Sequence, residues 1–135
     1  MQTFEGIEKI IKKTVESTIL GLKTAGLLAD QNINTFRKTE ELLRNYNALS
    51  ASGDPVAEKM VDNIEKALIH IRKDPYYEVI TLYYIEGWTR EQLAERFDTS
   101  VTTISRNKKR LVEQLKIILF SCDYIKEIYS DWILM

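Results

Sequence analysis

The sequence predicts an all-α fold, a helical bundle with a C-terminal helix-turn-helix, and three observations carry that expectation. Apolar residues recur three and four positions apart through most of the chain, the spacing that gathers them on one face of an α-helix. Residues with helix-starting chemistry stand at the head of these runs: Asp54-Pro55, Asp74-Pro75, Thr89 and Ser100. No stretch is expected to form a strand. Tyr83-Tyr84-Ile85 has strand propensity, but it lies between an Asp-Pro start and Gly87.

Taken in order, Phe4, Ile7, Ile11, Val15, Ile19 and Leu22 form the first stripe, with Lys9, Lys12, Lys13 and Glu16 opposite. That predicts an amphipathic helix running to about Lys23. Gly21 and Gly26 weaken its end, each by about 1 kcal/mol against Ala, so Leu27-Leu28 is expected in a connector. Asp30, Asn32 and Asn34 compete to cap the next segment, which carries Ile33, Phe36, Leu43, Tyr46 and Leu49 until Ser52-Gly53 stops it. Asp54-Pro55 and Asp74-Pro75 each place an N-cap Asp before a Pro at the first helical position, where a missing N–H costs nothing. Glu58 and Glu78 then sit in first turns, where the helix dipole favours them. The first start launches Val56, Met60, Ile64, Leu68 and Ile71; the second launches Val79, Ile80, Leu82, Tyr83 and Ile85 and ends at Gly87.

The stretch Thr89 to Ile118 reads as the helix-turn-helix. Thr89 and Gln92 are spaced for a capping box, and Leu93, Ala94 and Phe97 form the apolar side of a short helix. Asp98-Thr99 leaves room only for a tight turn, in which Asp tolerates left-handed backbone angles. Ser100 is the next N-cap, and Ile104, Leu111, Leu115 and Ile118 mark the inner face of a long second helix. Its other face shows short hydroxyls first and cations after: Thr102, Thr103, Ser105, Arg106, Lys109 and Arg110, with Lys108 near the boundary. A DNA-reading helix uses its early side chains on base edges and later cations on phosphates. Val101, Thr102, Thr103, Ser105 and Arg106 are therefore the candidate base readers, with Lys108, Lys109, Arg110 and Arg90 the candidate phosphate contacts. A merely solvated basic helix has no reason to order hydroxyls before cations behind a capped two-residue turn.

Asp74 to Leu119 resembles region 4 of bacterial sigma factors and their relatives. The resemblance rests on Tyr83-Tyr84-Ile85-Glu86-Gly87, Gln92-Leu93-Ala94-Glu95, Phe97-Asp98, Ser100, Ile104 and Leu115. Within that group, the run Thr103 to Val112 and the pair Leu119-Phe120 look most like the ArpU/RinA family of phage-encoded transcriptional regulators. Asn107 departs from the pattern, which places an apolar residue inward there. The resemblance implies a transcriptional regulator of phage or prophage genes that binds double-stranded DNA, and it brings RNA polymerase in as a second candidate partner.

The remaining sequence narrows the alternatives. A net charge of −1 conceals a basic recognition helix flanked by Asp74, Glu78 and Glu86 on one side and Asp123, Glu127 and Asp131 on the other; phosphates respond to the local charge. Cys122 is alone and His70 is the single histidine, so no metal site and no disulfide within the chain is expected. Nothing matches a phosphate-binding loop, a dinucleotide fingerprint or a hydrolase nucleophile motif, so neither an enzyme nor a cofactor is expected. Charges throughout Met1 to Ile11 and the lack of a long apolar run point to a cytoplasmic protein off the membrane. The expected organisation is 1–73 as a helical region for dimerisation or partner contact, 74–120 as the DNA-binding domain, and 121–135 as an amphipathic helix. A homodimer is expected, with its seam on the Phe4–Leu22 stripe rather than on Ile125, Ile128, Trp132 and Ile133. The competing readings are a sigma-like factor acting on polymerase core, a small terminase-like packaging protein, and an interaction bundle that has lost DNA binding.

Overall fold

The computed structural model of the chain describes residues 7–8, 20–30 and 32–120, and all regular structure among them is helical. In order these are α1 (residues 20–29), α2 (Thr35–Arg44), α3 (Tyr46–Ala51), α4 (Pro55–Ile71), α5 (Tyr77–Ile80), α6 (Arg90–Arg96) and α7 (Val101–Leu119). Helix α5 continues without a break as a π-helical segment, Thr81–Ile85. Helix α7 is the centre of the arrangement and packs against α2, α4, α5 and α6, while α3 lies on α4. The tail expected as an amphipathic helix, and most of the Phe4–Leu22 stripe, lie outside the described residues.

One apolar core joins Ala25 and Leu28 of α1, Leu42 and Leu43 of α2, Met60, Ile64 and Leu68 of α4, and Leu111, Leu115 and Leu119 of α7. It draws on residues from both sides of the 73/74 boundary. Helix α1 ends later than expected: it continues past Lys23 to residue 29, with Leu28 only 3% exposed. Burying a leucine stabilises by about 1.5–3 kcal/mol, which outweighs the roughly 1 kcal/mol cost of a helical glycine. Gly21 lies against the start of α4: a Cβ there would be 2.5 Å from Asp54 Oδ2, so the Asp54 carboxylate would have to shift to admit one. The end of α1 is tied to α2 by the buried Lys38, whose Nζ donates to the Leu28 carbonyl at 2.9 Å, a cation at the negative end of a helix.

Asn34 wins the contest to cap α2, its Oδ1 accepting from Arg37 N–H at 2.8 Å. Asp30 instead accepts from Asn32 N–H at 2.8 Å and only turns the chain. The segment expected to run from Ile33 to Ala51 is divided at Asn45, which leaves helical geometry at φ −89° and ψ 1°. Gly53, at φ +71°, then turns the chain into Asp54-Pro55, where α4 begins as expected. The second Asp-Pro pair behaves differently. Helix α5 starts at Tyr77, not Pro75, because Asp74 and Pro75 fold into a separate turn in which Asp74 Oδ1 accepts from Tyr76 N–H at 2.9 Å.

The π-helical segment places two tyrosines side by side. Tyr83 and Tyr84 pack edge to face, with ring centres 4.9 Å apart. Tyr84 is 6% exposed and donates its hydroxyl proton to Glu40 Oε2 at 2.6 Å, so α2 holds the helix that leads into α6 and α7 through a hydrogen bond. Burial, then the Glu40 bond, push the Tyr84 hydroxyl far above the ordinary tyrosine range. Gly87, at φ +75°, ends the segment, with Trp88 N–H on the Leu82 carbonyl at 2.9 Å.

Candidate nucleic-acid interface

Local chemistry builds α6, the turn and α7. Thr89 Oγ1 accepts from Gln92 N–H at 3.1 Å and Gln92 Oε1 accepts from Thr89 N–H at 2.9 Å, a complete capping box. Leu93 and Ala94 of α6, Val79 of α5 and Ile104 of α7 form a second, smaller apolar cluster that fixes the angle between the helices. Phe97 closes α6 and stacks on Tyr76 at 5.5 Å. The chain then turns through Asp98, whose N–H bonds the Glu95 carbonyl at 3.2 Å, while Thr99 N–H bonds the Ala94 carbonyl at 2.9 Å. This is a Schellman closure with Asp98 in the left-handed position glycine usually takes, at φ +50°. Asp98→Gly should therefore fold at least as stably as the parent chain. Asp98→Val should lose about 1–2 kcal/mol through Cβ crowding, measured as a lower urea midpoint; equal midpoints would contradict the strain.

Ser100 caps α7, its Oγ accepting from Thr103 N–H at 3.1 Å. The inner face consists of Ile104, Leu111, Val112, Leu115 and Leu119, all buried; Ile118, expected there, is only half-buried. Thr102, Arg106, Lys109 and Arg110 are exposed on the opposite side. Arg106 and Lys109 make no ion pair among the described residues. Arg90 reaches across from α6, its Nη1 donating to Ser105 Oγ at 3.4 Å, which brings those two predicted residues together.

Four predicted residues sit differently from the expectation of one open face. Val101 is half-buried against the smaller apolar cluster. The Thr103 hydroxyl lies 3.0 Å from Ser100 Oγ and is engaged at the cap. Lys108 lies on the inner side, its Nζ 4.3 Å from the centre of the Tyr83 ring and 5.6 Å from that of Tyr84. That position follows the helical period, which sets Lys108 four residues after Ile104 and three before Leu111. The two ring faces offer the cation attraction that an aliphatic core would not.

Arg110 is the fourth. Its Nη1 and Nη2 donate to Asp74 Oδ2 and Oδ1 at 2.8 and 3.0 Å, a two-pronged pair. Asn107 Oδ1 accepts further bonds from Arg110 Nη2 at 3.1 Å and Nε at 3.3 Å, while Asn107 Nδ2 donates to the Thr103 carbonyl at 2.9 Å. Asn107, the departure from the sigma-like pattern, therefore occupies a half-buried position as a bridge within α7. The Arg110 hydrogen bonds, assisted by the Tyr76 N–H, hold the Asp74 carboxyl below its ordinary value, and the same pair raises Arg110. Asp74 and Asn107 are the site residues that sequence reasoning missed. A further pair, Arg96 with Glu78 at 2.7 Å, fastens α6 to α5 on the surface.

The elements α5, α6 and α7 thus define a helix-turn-helix with a long second helix whose early outer face is polar and basic. Residues 77–116 match the family described as Sigma-70, region 4, a DNA-binding helix-turn-helix domain. No curated protein and no solved structure matches the chain. Among the described residues, no helix is long and apolar enough to cross a membrane and no cluster of metal-ligating side chains occurs.

Proposed function

We propose that the chain is a sequence-specific double-stranded DNA-binding transcriptional regulator whose contact surface is the early outer face of α7. The observation that carries this reading is the exposed set Thr102, Arg106 and Lys109, standing on the second helix of a region 4-type helix-turn-helix. Thr102 can contact a base edge and the thymine methyl, and Arg106 can grip guanine with two bonds. Lys109 and Arg90 flank them as phosphate contacts. The run Thr103 to Val112 supports a narrower reading, regulation of phage or prophage genes.

The test is salt dependence. Each phosphate neutralised contributes about −0.9 to the slope of log affinity against log salt. Lys109→Ala should flatten that slope by about one unit and weaken all sequences alike. An unchanged slope would remove this face of α7 from the interface.

The region 4 match also supports a role exercised with RNA polymerase. Retention of the chain by core polymerase in the absence of DNA is the result that would favour it. The proposed homodimer draws support from Ile7 and Leu22, two members of the first apolar stripe that are 45% and 56% exposed. A single recognition helix covers few base pairs, and a two-fold pair supplies the selectivity that a genome of competing sites demands.

A further inference from the structure

We propose that Asp74 is a specificity-determining residue, one that holds Arg110 away from DNA phosphates and so lowers the protein's affinity for sequences it does not read. The inference rests on the DNA-binding reading above and extends it to a residue outside the recognition helix. Arg110 follows Arg106 by four positions, so both rise from one face of α7, and the Arg110 side chain is 41% exposed. On exposure and position alone it is a phosphate contact. Its charge, however, is balanced by a carboxylate that meets it with both oxygens.

Neither partner is free to swing aside without loss. Asp74 is only 19% exposed on its side chain and is oriented by the Tyr76 N–H, while Asn107 takes two further Arg110 N–H bonds. The guanidinium is thus held on two of its edges at once, Nη1 and Nη2 by Asp74 and Nε and Nη2 by Asn107. A phosphate contact raises affinity for every sequence equally, whereas useful recognition depends on the ratio of specific to non-specific affinity. Neutralising Arg110 within the protein leaves Arg106 exposed for base contact while removing one sequence-blind attraction beside it.

The experiment measures log affinity against log salt on a mixed-sequence DNA duplex for the parent chain, Asp74→Ala, Arg110→Ala and the double variant. Asp74→Ala should bind this duplex several-fold more tightly and steepen the slope by about 0.9, one additional phosphate. Arg110→Ala alone should change the slope little, and adding Asp74→Ala to it should add little more. Asp74→Asn preserves an acceptor for Tyr76 N–H, and it should move both quantities in the same direction by less. It carries the test if Asp74→Ala fails to fold. An equal change from Asp74→Ala with and without Arg110 would reduce Asp74 to a general repulsive charge and overturn the proposal. So would no change at all. If Lys109→Ala flattens the slope while the Asp74 variants leave it fixed, this proposal alone fails. If the parent chain does not bind the duplex at low salt, the DNA-binding reading fails and takes the proposal with it.

Discussion

Leu115→Ala should destabilise the protein by about 2–5 kcal/mol, the range for emptying a leucine site in a packed core. Leu115 is fully buried on the inner face of α7, in the cluster that also holds Leu43 of α2 and Ile64 of α4. Because α7 contacts four other helices, the cavity would be lined from several sides and could not collapse by moving one of them. The loss should appear in urea unfolding followed by circular dichroism. Ile117→Ala is the internal control, at 67% exposure on the same helix; it should change stability by less than about 0.5 kcal/mol. Similar losses at both positions would mean that the rotation of α7 is misassigned.

Arg106→Ala should cost about 1–3 kcal/mol on the preferred site and much less on mixed sequence, since a two-bond grip on guanine discriminates against other bases. The expectation follows from its placement: Arg106 is exposed, lies one turn beyond Thr102, and makes no ion pair among the described residues. Lys108 supplies the contrast. With its cation over the Tyr83 ring, Lys108→Ala should act chiefly on stability. Competition binding with the selected site and a scrambled duplex measures both. Equal loss on the two duplexes would demote Arg106 to a positioning contact.

What was legible in the sequence was what is decided within a few residues. The Thr89–Gln92 capping box, the Ser100 cap and the left-handed Asp98 each close a hydrogen-bonded ring over two to five positions, so residue type and spacing determine them. The inner face of α7 followed from periodicity, with Val112 and Leu119 added to it and Ile118 packed at its half-buried edge. Periodicity set Lys108 only near the boundary of the outer face, and it turns inward. Only Tyr83 and Tyr84, on another helix, make the inward site acceptable. Arg110 was beyond local reasoning altogether, since its partner Asp74 lies 36 residues away in sequence. The start of α5 was misplaced for the related reason that Asp74, expected as a cap, folds its own turn and turns its carboxylate to α7. The extension of α1 through Gly26 to Leu28 shows tertiary burial overriding a local propensity.

Whether the early outer face of α7 meets double-stranded DNA can be read most directly from backbone amide shifts during titration of the isotopically labelled full chain with a duplex. The largest perturbations are expected from Val101 to Arg110, with a second group at Arg90 and little change in α3 and α4. Perturbations centred on α3 and α4, with Thr102, Arg106 and Lys109 unmoved, would contradict that contact.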